Sequence, residues 1–388
     1  MASDRLGFEA FFLDEVCWMK FTVYAIAVLS LLSGLNARSA DGPGPAFNRD
    51  HATGIIGNWR KIVSPRGIDE RLQIPIGGTN QWISVRGRDN RNPIILMIHG
   101  GPASPEMQTS WTWAGDWEDY FTVVQWDQRG SGKSYLANDP AVIGPTLSLA
   151  RISEDAGEVV QYLRQRYGKD KVFVIGHSWG SLVGLTLAHQ HPEWLYAYIG
   201  MGQVISGKDN ERVGYDLTLK LAEAQKNTAA INELKSIAPY PEADGSVPVP
   251  KIMLERKWSV SFGGLTYGRK GLDFYSDLAE LSPDYSLQDV AAVDKGSALS
   301  LPRLLPDLLN FDFTDVVQYN CPIFMFEGRY DLTTPSQVTA QWFKRVQAPK
   351  KGFVWFENSA HMMEVEEPGR VLVHLVEDVR PLAGNAFK

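Results

Sequence analysis

Short apolar runs that alternate with helical patterns are the feature that most constrains how this chain folds. Residues 94–98, 121–126, 171–175 and 196–201 are apolar runs of strand length, and the first three end at turn-forming residues. Within residues 153–166 the apolar positions recur at helical spacing. Strands that alternate with helices favour a parallel sheet covered on both faces. The sequence therefore predicts an α/β fold with a mostly parallel central sheet and helices on both faces.

Composition limits the classes of protein that this chain can belong to. Its 388 residues are 44% hydrophobic, which is enough for one large core with an inserted subdomain and too apolar for disorder. The formal net charge of −7 argues against a nucleic-acid-binding surface, which needs concentrated positive charge. The two cysteines, Cys17 and Cys321, are too few for a disulfide framework or a four-cysteine zinc site.

An interruption in the alternation predicts the domain organisation. The pattern stops after about Gly202 and resumes at Pro322, and no comparable strand signal lies between them. We expect residues 41–205 to form the first part of the core and residues 316–388 the second part. Residues 206–315 then form an inserted, mainly helical cap.

The first forty residues resemble a secretory signal peptide. Lys20 precedes a continuous apolar run that is too short to span a bilayer comfortably, and small residues follow it. Acidic residues before that run fit the pattern badly, so we expect translation to start at Met19 and cleavage to follow Ser39 or Ala40. The prediction is an exported protein, periplasmic or extracellular, with no stable membrane span after cleavage. The alternative is a buried amphipathic N-terminal helix.

A Gly-x-Ser-x-Gly motif at residues 176–180 predicts a nucleophile. It lies between an apolar strand and a helical segment, where its glycines permit a sharp turn that exposes the hydroxyl of Ser178. A serine needs a neighbouring base to remove its proton, and that base needs an orienting acid. Asp331 and His361 follow late strands in the order acid then histidine. Glu327 and Glu357 compete for the acid's role, but neither has the loop position of Asp331.

Backbone donors are also required, because negative charge develops on the substrate's carbonyl oxygen during attack. The backbone N–H groups of Gly101 and Trp179 are the candidates for this oxyanion hole. Gly101 lies in a His-Gly-Gly-Pro turn after the strand at residues 94–98, and Trp179 directly follows the predicted nucleophile.

These motifs together resemble the α/β-hydrolases of the proline iminopeptidase type. The resemblance is carried by residues 99–102, 126–134, 176–181 and 328–331 and by His361. It implies an α/β-hydrolase fold and removal of an N-terminal residue, often proline, through an acyl-enzyme on the serine. It also implies that no metal or organic cofactor takes part.

Two departures from this family fall near the expected substrate site. Ala103 replaces the glycine that normally follows the His-Gly-Gly-Pro turn. More seriously, the family binds the substrate's ammonium group with cap glutamates, one of them in a Trp-Ser-x-Trp-Glu motif, and Phe262 occupies that glutamate's position here. Loss of such a charge-assisted contact would cost about 1.5–3 kcal/mol. The Phe262 departure therefore favours an ester or lactone substrate, whereas the overall set of motifs favours a peptide.

The remaining motifs predict neither a nucleotide-binding site nor a metal site. Residues 130–134 resemble a phosphate-binding loop, but that motif requires a glycine where Asp127 stands, so nucleotide binding is not predicted. His189 and His191 end a helical segment without a clear set of partner ligands, and no metal site is predicted. Trp111, Trp113 and Trp117 either line an apolar substrate pocket or pack between a loop and the cap.

The sequence thus predicts a serine hydrolase that acts on a small molecule or a short peptide. Two substrate classes stay open: the amide bond of a short peptide with a free N-terminus, and a carboxylic ester or lactone. A catalytically silent binding protein on the same scaffold is the alternative from another class. The oligomeric state is not predicted.

Overall fold

The computed structural model describes residues 47–384. The chain divides into two units, Met1–Asn48 and Arg49–Lys388, and the second contains every strand of the sheet. The predicted signal peptide and its cleavage site lie outside the described residues. Within the described part of the chain, no helix combines the length and apolar character needed to cross a membrane.

The second unit is built from eight strands and thirteen α-helices among the described residues. The strands are β1 (Ile68–Ile76), β2 (Thr79–Gly87), β3 (Ile94–Ile98), β4 (Thr122–Asp127), β5 (Val172–His177), β6 (Leu195–Met201), β7 (Ile323–Gly328) and β8 (Lys351–Phe356). The helices are α1 (Arg49–Trp59), α2 (Gly132–Leu136), α3 (Pro140–Ile143), α4 (Leu149–Tyr167), α5 (Trp179–Gln190), α6 (Gly207–Ala224), α7 (Thr228–Ser236), α8 (Val249–Ser261), α9 (Asp273–Glu280), α10 (Leu287–Asn310), α11 (Ser336–Phe343), α12 (Met363–Glu366) and α13 (Pro368–His374). A π-helical turn (Leu375–Val379) and a 3₁₀ turn (Arg380–Ala383) follow α13.

All eight strands form one sheet in the order β1-β2-β4-β3-β5-β6-β7-β8. The pairs from β4 to β8 are parallel, whereas β1 and β2 pair antiparallel with each other and β2 pairs antiparallel with β4. The predicted α/β architecture with a mostly parallel sheet is confirmed.

The hairpin of β1 and β2 was not among the predicted strands. Ile76 faces Thr79 in its register, so Gly77 and Gly78 form a two-residue loop, both with positive φ. Gly-Gly between extended runs is a strong hairpin signal because glycine adopts positive φ without steric cost. The charged residues of β1 hide the apolar alternation that normally reveals a strand.

Successive residues of the central strands pack on opposite faces of the sheet, as a pleated strand requires. Val174 belongs to an apolar cluster with residues of α4 and α5 on one face. Its neighbour Ile175 belongs to a second cluster with Trp117 and the helical segment from α13 to the C-terminal turns. Cys321 is buried and belongs to the first cluster.

Five helices, α6 to α10, occupy the interval between β6 and β7, where the sequence predicts a mainly helical cap. They have their own small apolar cluster, which includes Tyr215, Leu234 and Tyr240. The longest, α10, contains Pro302 and Pro306 and was not predicted as a continuous helix. Its helical conformation prevails over the unfavourable propensity of proline, and a capping box at its N-terminus stabilises its first turn.

Candidate active site

The sequence-predicted residues lie in loops at one edge of the sheet. Strands β3, β5, β7 and β8 run parallel, so their carboxyl ends meet at the same edge. Ser178 follows β5, Asp331 follows β7 and His361 follows β8. In open α/β sheets this edge is where binding sites normally form.

Ser178 occupies a strained turn between β5 and α5. Its φ of 53° and ψ of −121° place a non-glycine residue in a region that costs energy, and its N–H donates to the carbonyl of Met201 at 3.0 Å. A Cβ at Gly180 would lie 2.0 Å from the carbonyl oxygen of Ile98. Glycine is therefore required there for α5 to start so close to β3.

His361 and Asp331 form a buried pair. The Nδ1 of His361 lies 2.7 Å from Oδ2 of Asp331, and the two side chains are 4% and 0% exposed. The other carboxylate oxygen accepts the N–H groups of Thr333 and Thr334 at 2.8 Å each. The Thr334 hydroxyl donates to Oδ2 at 2.8 Å. This set of donors holds Asp331 with its carboxylate directed at the imidazole.

The competing acids have other partners. Glu357 pairs with Arg329 on the surface, and Glu327 accepts the N–H of Gln203 at 3.1 Å. Burial raises the pKa of Glu327 well above its usual range, and the nearby Asp331 charge raises it further. The structure thus brings Asp331, and neither of these glutamates, to the His361 imidazole.

His177 precedes Ser178 in the chain and contacts His361. Its ring centroid lies 4.8 Å from that of His361, and its Nε2 lies 3.0 Å from the His361 carbonyl oxygen. Within residues 47–384, the hydrogen bonds of His361 involve Asp331, Thr334, Leu265 and His177, and none involves the Ser178 hydroxyl. Ser178 is half-buried and lines a cavity. The structure places base and nucleophile next to the same residue without joining them by a hydrogen bond.

The two predicted oxyanion donors flank Ser178. Gly101 and Trp179 line the same cavity as the serine, and within the described chain their backbone N–H groups donate to no protein acceptor. His99 supports the loop that carries Gly101. Its Nε2 accepts the N–H of Gln128 at 3.2 Å, so its Nδ1 carries the proton that is donated to the Gly100 carbonyl at 2.8 Å. Burial lowers the pKa of His99 to about 4, so this imidazole is neutral.

The cavity at Ser178 has a volume of about 140 Å³. A larger groove of about 590 Å³ lies elsewhere, between α6 and α11, and contains none of the predicted site residues. Apolar side chains from the cap form much of the wall of the smaller cavity, including Ile252, Leu301, Leu305 and Leu308. Glu211 and Arg256 also line it.

These two charged residues were missed from the sequence. Glu211, from α6, bonds the guanidinium of Arg256 through one carboxylate oxygen and the hydroxyl of Tyr240 through the other. Arg256 also bonds Glu255, whose other oxygen accepts the Thr218 hydroxyl at 2.8 Å. Burial lowers the pKa of Arg256, but Glu211 and Glu255 outweigh that effect and raise it, so the guanidinium stays charged. No local motif marks this network, because its members come from α6, α8 and the loop that contains Tyr240.

Phe262 and the tryptophans have packing roles. Phe262 stacks on Trp258, with ring centroids 5.9 Å apart, and packs against the apolar cluster of the cap. Trp113 and Trp117 are buried with centroids 4.8 Å apart, and Trp111 donates to the carbonyl of Leu278 in α9 at 3.1 Å. Trp111 therefore packs between loop and cap, whereas Trp113 and Trp117 pack into the apolar cluster on one face of the sheet.

One group of potential metal ligands stands out in the described part of the chain. Glu106, His177 and Glu364 are buried, and one ligand atom of each lies within 4.8 Å of the others. His177 Nδ1 lies 2.6 Å from Oε1 of Glu106. Since Nε2 of the same ring faces a carbonyl oxygen, which can only accept, neither ring nitrogen offers a free lone pair to a metal. The geometry fits an imidazolium between carboxylates better than a coordinated ion.

Comparisons with known proteins agree with this fold. Residues 93–368 match the family described as the alpha/beta hydrolase fold. The probable aminopeptidase YbaC of Bacillus subtilis (strain 168) is 30% identical over 310 residues, which cover 79% of this chain and 95% of that protein. A proline iminopeptidase of Heyndrickxia coagulans is 26% identical over 289 residues, covering 72% and 87%. The crystal structure of the Mycobacterium smegmatis proline iminopeptidase has a similar fold, with a TM-score of 0.59 at 16% identity over 81% of this chain and 99% of that one.

Proposed function

The chain belongs to the α/β-hydrolase family, and from that premise we propose that it is a serine hydrolase whose nucleophile is Ser178. The observation that carries this proposal is the buried His361–Asp331 pair at the same sheet edge as the strained Ser178 turn. The resemblance to hydrolases of the proline iminopeptidase type is confirmed by the similar relatives.

The proposed reaction begins at His361. With its Nδ1–H donated to Asp331, the imidazole has its lone pair on Nε2. The mechanism requires the Ser178 hydroxyl to reach that nitrogen, which removes the proton as the serine oxygen attacks the substrate's carbonyl carbon. The N–H groups of Gly101 and Trp179 then stabilise the oxyanion. Loss of one such donor typically reduces kcat about 10²–10³-fold.

The second half of the reaction restores the enzyme. The protonated His361 gives its proton to the leaving group, and the acyl group stays on the Ser178 oxygen. Water, deprotonated by the same imidazole, attacks this acyl-enzyme and releases the acid. An initial burst of the first product is therefore expected wherever the second step is the slower one.

We propose that the substrate is a short peptide and that the enzyme releases its N-terminal residue. The relatives named aminopeptidase or proline iminopeptidase support this class. The cavity adds a physical reason, because Glu211 brings to its wall the carboxylate that Phe262 does not supply. Glu211, Glu255 and Arg256 together carry a formal charge of −1, which favours a substrate ammonium group. The small volume favours a compact first residue.

A specific observation also favours the ester or lactone alternative. Both carboxylate oxygens of Glu211 already accept hydrogen bonds, from Arg256 and Tyr240. Much of the remaining wall is apolar, which suits a neutral acyl group without an ammonium. Binding of an ammonium would therefore have to compete with, or add to, an existing ion pair.

The test of the nucleophile is labelling with a fluorophosphonate probe. The unmodified protein should be labelled, and Ser178→Ala should not be. Retained labelling in Ser178→Ala would contradict the assignment of the nucleophile. An unlabelled wild-type protein that binds peptide without turnover would favour the silent binding protein instead.

The test of the substrate compares proline naphthylamide with p-nitrophenyl butyrate. We expect Glu211→Gln to raise KM for the amide about tenfold or more, because a charge-assisted contact is worth about 1.5–3 kcal/mol. Hydrolysis of the ester, which has no ammonium, should change little and reports that the variant is folded. Glu233→Gln is the matched control, since Glu233 pairs with Lys257 at an exposed position of the cap. Rapid turnover of the ester with none of the amide would overturn the peptidase proposal.

A further inference from the structure

The cluster of Glu106, His177 and Glu364 lies beneath the proposed catalytic base and is not used in the reaction described above. His177 is 3% exposed and Glu364 is fully buried. Both oxygens of Glu364 and the Oε2 of Glu106 lack hydrogen-bond partners within the described residues. Buried carboxylates without donors are costly unless a nearby opposite charge compensates them. The candidate for that charge is the imidazole of His177.

Hydrogen bonding determines the protonation of His177. Its Nε2 must carry a hydrogen, because the partner is the carbonyl oxygen of His361 at 3.0 Å. Its Nδ1 lies 2.6 Å from a Glu106 oxygen, a distance typical of a charge-assisted hydrogen bond. Burial by itself lowers the pKa of His177, but the carboxylates of Glu364 and Glu106 outweigh burial and raise it to about 10. The ring is therefore an imidazolium at neutral pH.

We propose that His177 is a positioning residue for His361, held as an imidazolium by Glu106 and Glu364. This inference rests on the proposed function, in which His361 is the general base. The Nε2–H of His177 fixes the backbone carbonyl of His361 and with it the loop that presents the base. The fixed positive charge, with its ring centroid 4.8 Å from that of His361, also disfavours protonation of the base before the serine attacks.

Several ionisable groups lie near the cluster of Glu106, His177 and Glu364 and could contribute to the pH dependence of the reaction. Burial keeps His99 neutral and Tyr275 protonated, and it raises the pKa of Glu327 well above its usual range. Burial also raises the pKa of Glu364. The ionisable groups in and around this cluster are Glu106, Glu364, Glu366, His99, His361, Asp331, Glu327 and Tyr275. Among these groups we expect Glu364 to change its charge near neutral pH, because burial raises its pKa to about 7.

The first experiment is the pH profile of kcat/KM for His177→Gln, whose amide can still donate to the His361 carbonyl. Loss of the positive charge should move the acid limb to higher pH by about one pH unit, since a charge at this range shifts a pKa by about 1–3. Glu364→Gln removes a negative charge and should move the limb in the opposite direction, by less, because burial keeps Glu364 partly protonated. His374→Gln is the control, because His374 pairs with Asp378 away from the site.

If His177 had a purely structural role, His177→Gln would lower the rate without shifting the acid limb of the pH profile. That result would overturn the proposal. A second measurement uses the wild-type protein and covers the case in which His177→Gln does not fold. In ¹⁵N-histidine-labelled protein, His177 should show two protonated ring nitrogens that do not titrate between about pH 6 and pH 9. One unprotonated nitrogen at neutral pH would refute the imidazolium. This spectrum does not depend on turnover, so its failure is distinct from failure of fluorophosphonate labelling at Ser178.

Discussion

A buried hydrogen bond between cap and core should make the stability of this protein depend on pH. The hydroxyl of Tyr285, which precedes α10, donates to Oδ2 of Asp127 at the end of β4. The same oxygen accepts the N–H of Lys133 at 2.8 Å, while Oδ1 is buried without a partner in the described chain. Burial raises the pKa of Asp127 from 3.8 to about 7, although the bond from Tyr285 lowers it. The hydroxyl itself stays protonated, because burial raises its pKa well above 10.

The sign of the pH effect follows from this raised pKa. A carboxyl group whose pKa is higher in the folded than in the unfolded state binds its proton more tightly when the protein is folded. Its contribution to stability is fully present at pH values below its pKa in the unfolded state, and it is lost as the pH rises through its pKa in the folded state. For Asp127 the window runs from about pH 4 to about pH 7. At about 1.4 kcal/mol for each unit, the loss reaches about 4 kcal/mol.

Tyr285→Phe should deepen this loss. Phenylalanine keeps the ring that lies 5.0 Å from the Lys133 ammonium and removes only the hydroxyl. At pH 5, where Asp127 is protonated, the lost bond joins two neutral groups and should cost about 0.5–1.5 kcal/mol. At pH 9 the lost bond is to a buried carboxylate and should cost about 1.5–3 kcal/mol. Denaturant unfolding at both pH values, followed by fluorescence, measures the difference.

Asp127→Asn provides a control background in which Tyr285→Phe can be measured without a titrating carboxyl group. The asparagine oxygen can accept the same two donors but does not titrate, so Tyr285→Phe should then cost the same at both pH values. The reasoning is refuted if Tyr285→Phe in the wild-type background costs equally at pH 5 and pH 9. It is also refuted if the difference persists in the Asp127→Asn background.

Two further substitutions test the loops that carry the acid and the base. Thr334→Val removes the hydroxyl that donates to Asp331 and should lower kcat/KM about tenfold, which is within the range for a hydrogen bond to a charged group. Thr334→Ser keeps the hydroxyl and should retain most activity, so equal rates for the two variants would contradict a role for this bond. Gly328→Ala places a methyl group 1.8 Å from the carbonyl oxygen of Ala360, so we expect the free energy of unfolding to fall by about 3 kcal/mol and the melting temperature to decrease. Gly271→Ala has open space around the added methyl group and should leave stability nearly unchanged. Similar melting temperatures for the two variants would contradict the steric reasoning.

The core of the fold was predictable because its signals are local. The apolar runs of β3, β5 and β7 end at turns, and the parallel sheet that they imply brings their carboxyl ends together. The contact between His361 and Asp331 follows from that topology, although the two residues are far from each other in the chain. The hydrogen-bond state of Ser178 depends on a side-chain rotamer and could not be read from spacing.

The features that escaped prediction depend on contacts between distant segments. Glu211 meets Arg256 across two helices of the cap, and neither residue lies in a motif. Glu364 becomes part of the ionic cluster only because α12 packs beside the end of β5. In α10, tertiary contacts such as that of the Ser300 hydroxyl with the Gly130 carbonyl, at 3.3 Å, accompany a helix that its two prolines disfavour.

The direct pairing of β6 with β7 lets the segment between them vary without a change in the register of the sheet. The chain leaves the sheet at Met201 and returns at Ile323, yet the two strands that bracket this excursion are immediate neighbours in the hydrogen-bonded ladder. Changes within this segment can therefore reshape the cavity wall while the strands keep their register, provided that the Gly264 and Leu265 carbonyls, which accept the N–H groups of Leu332 and His361, are kept. A chimera that grafts the corresponding segment of a relative between these two positions is a practical route to altered selectivity.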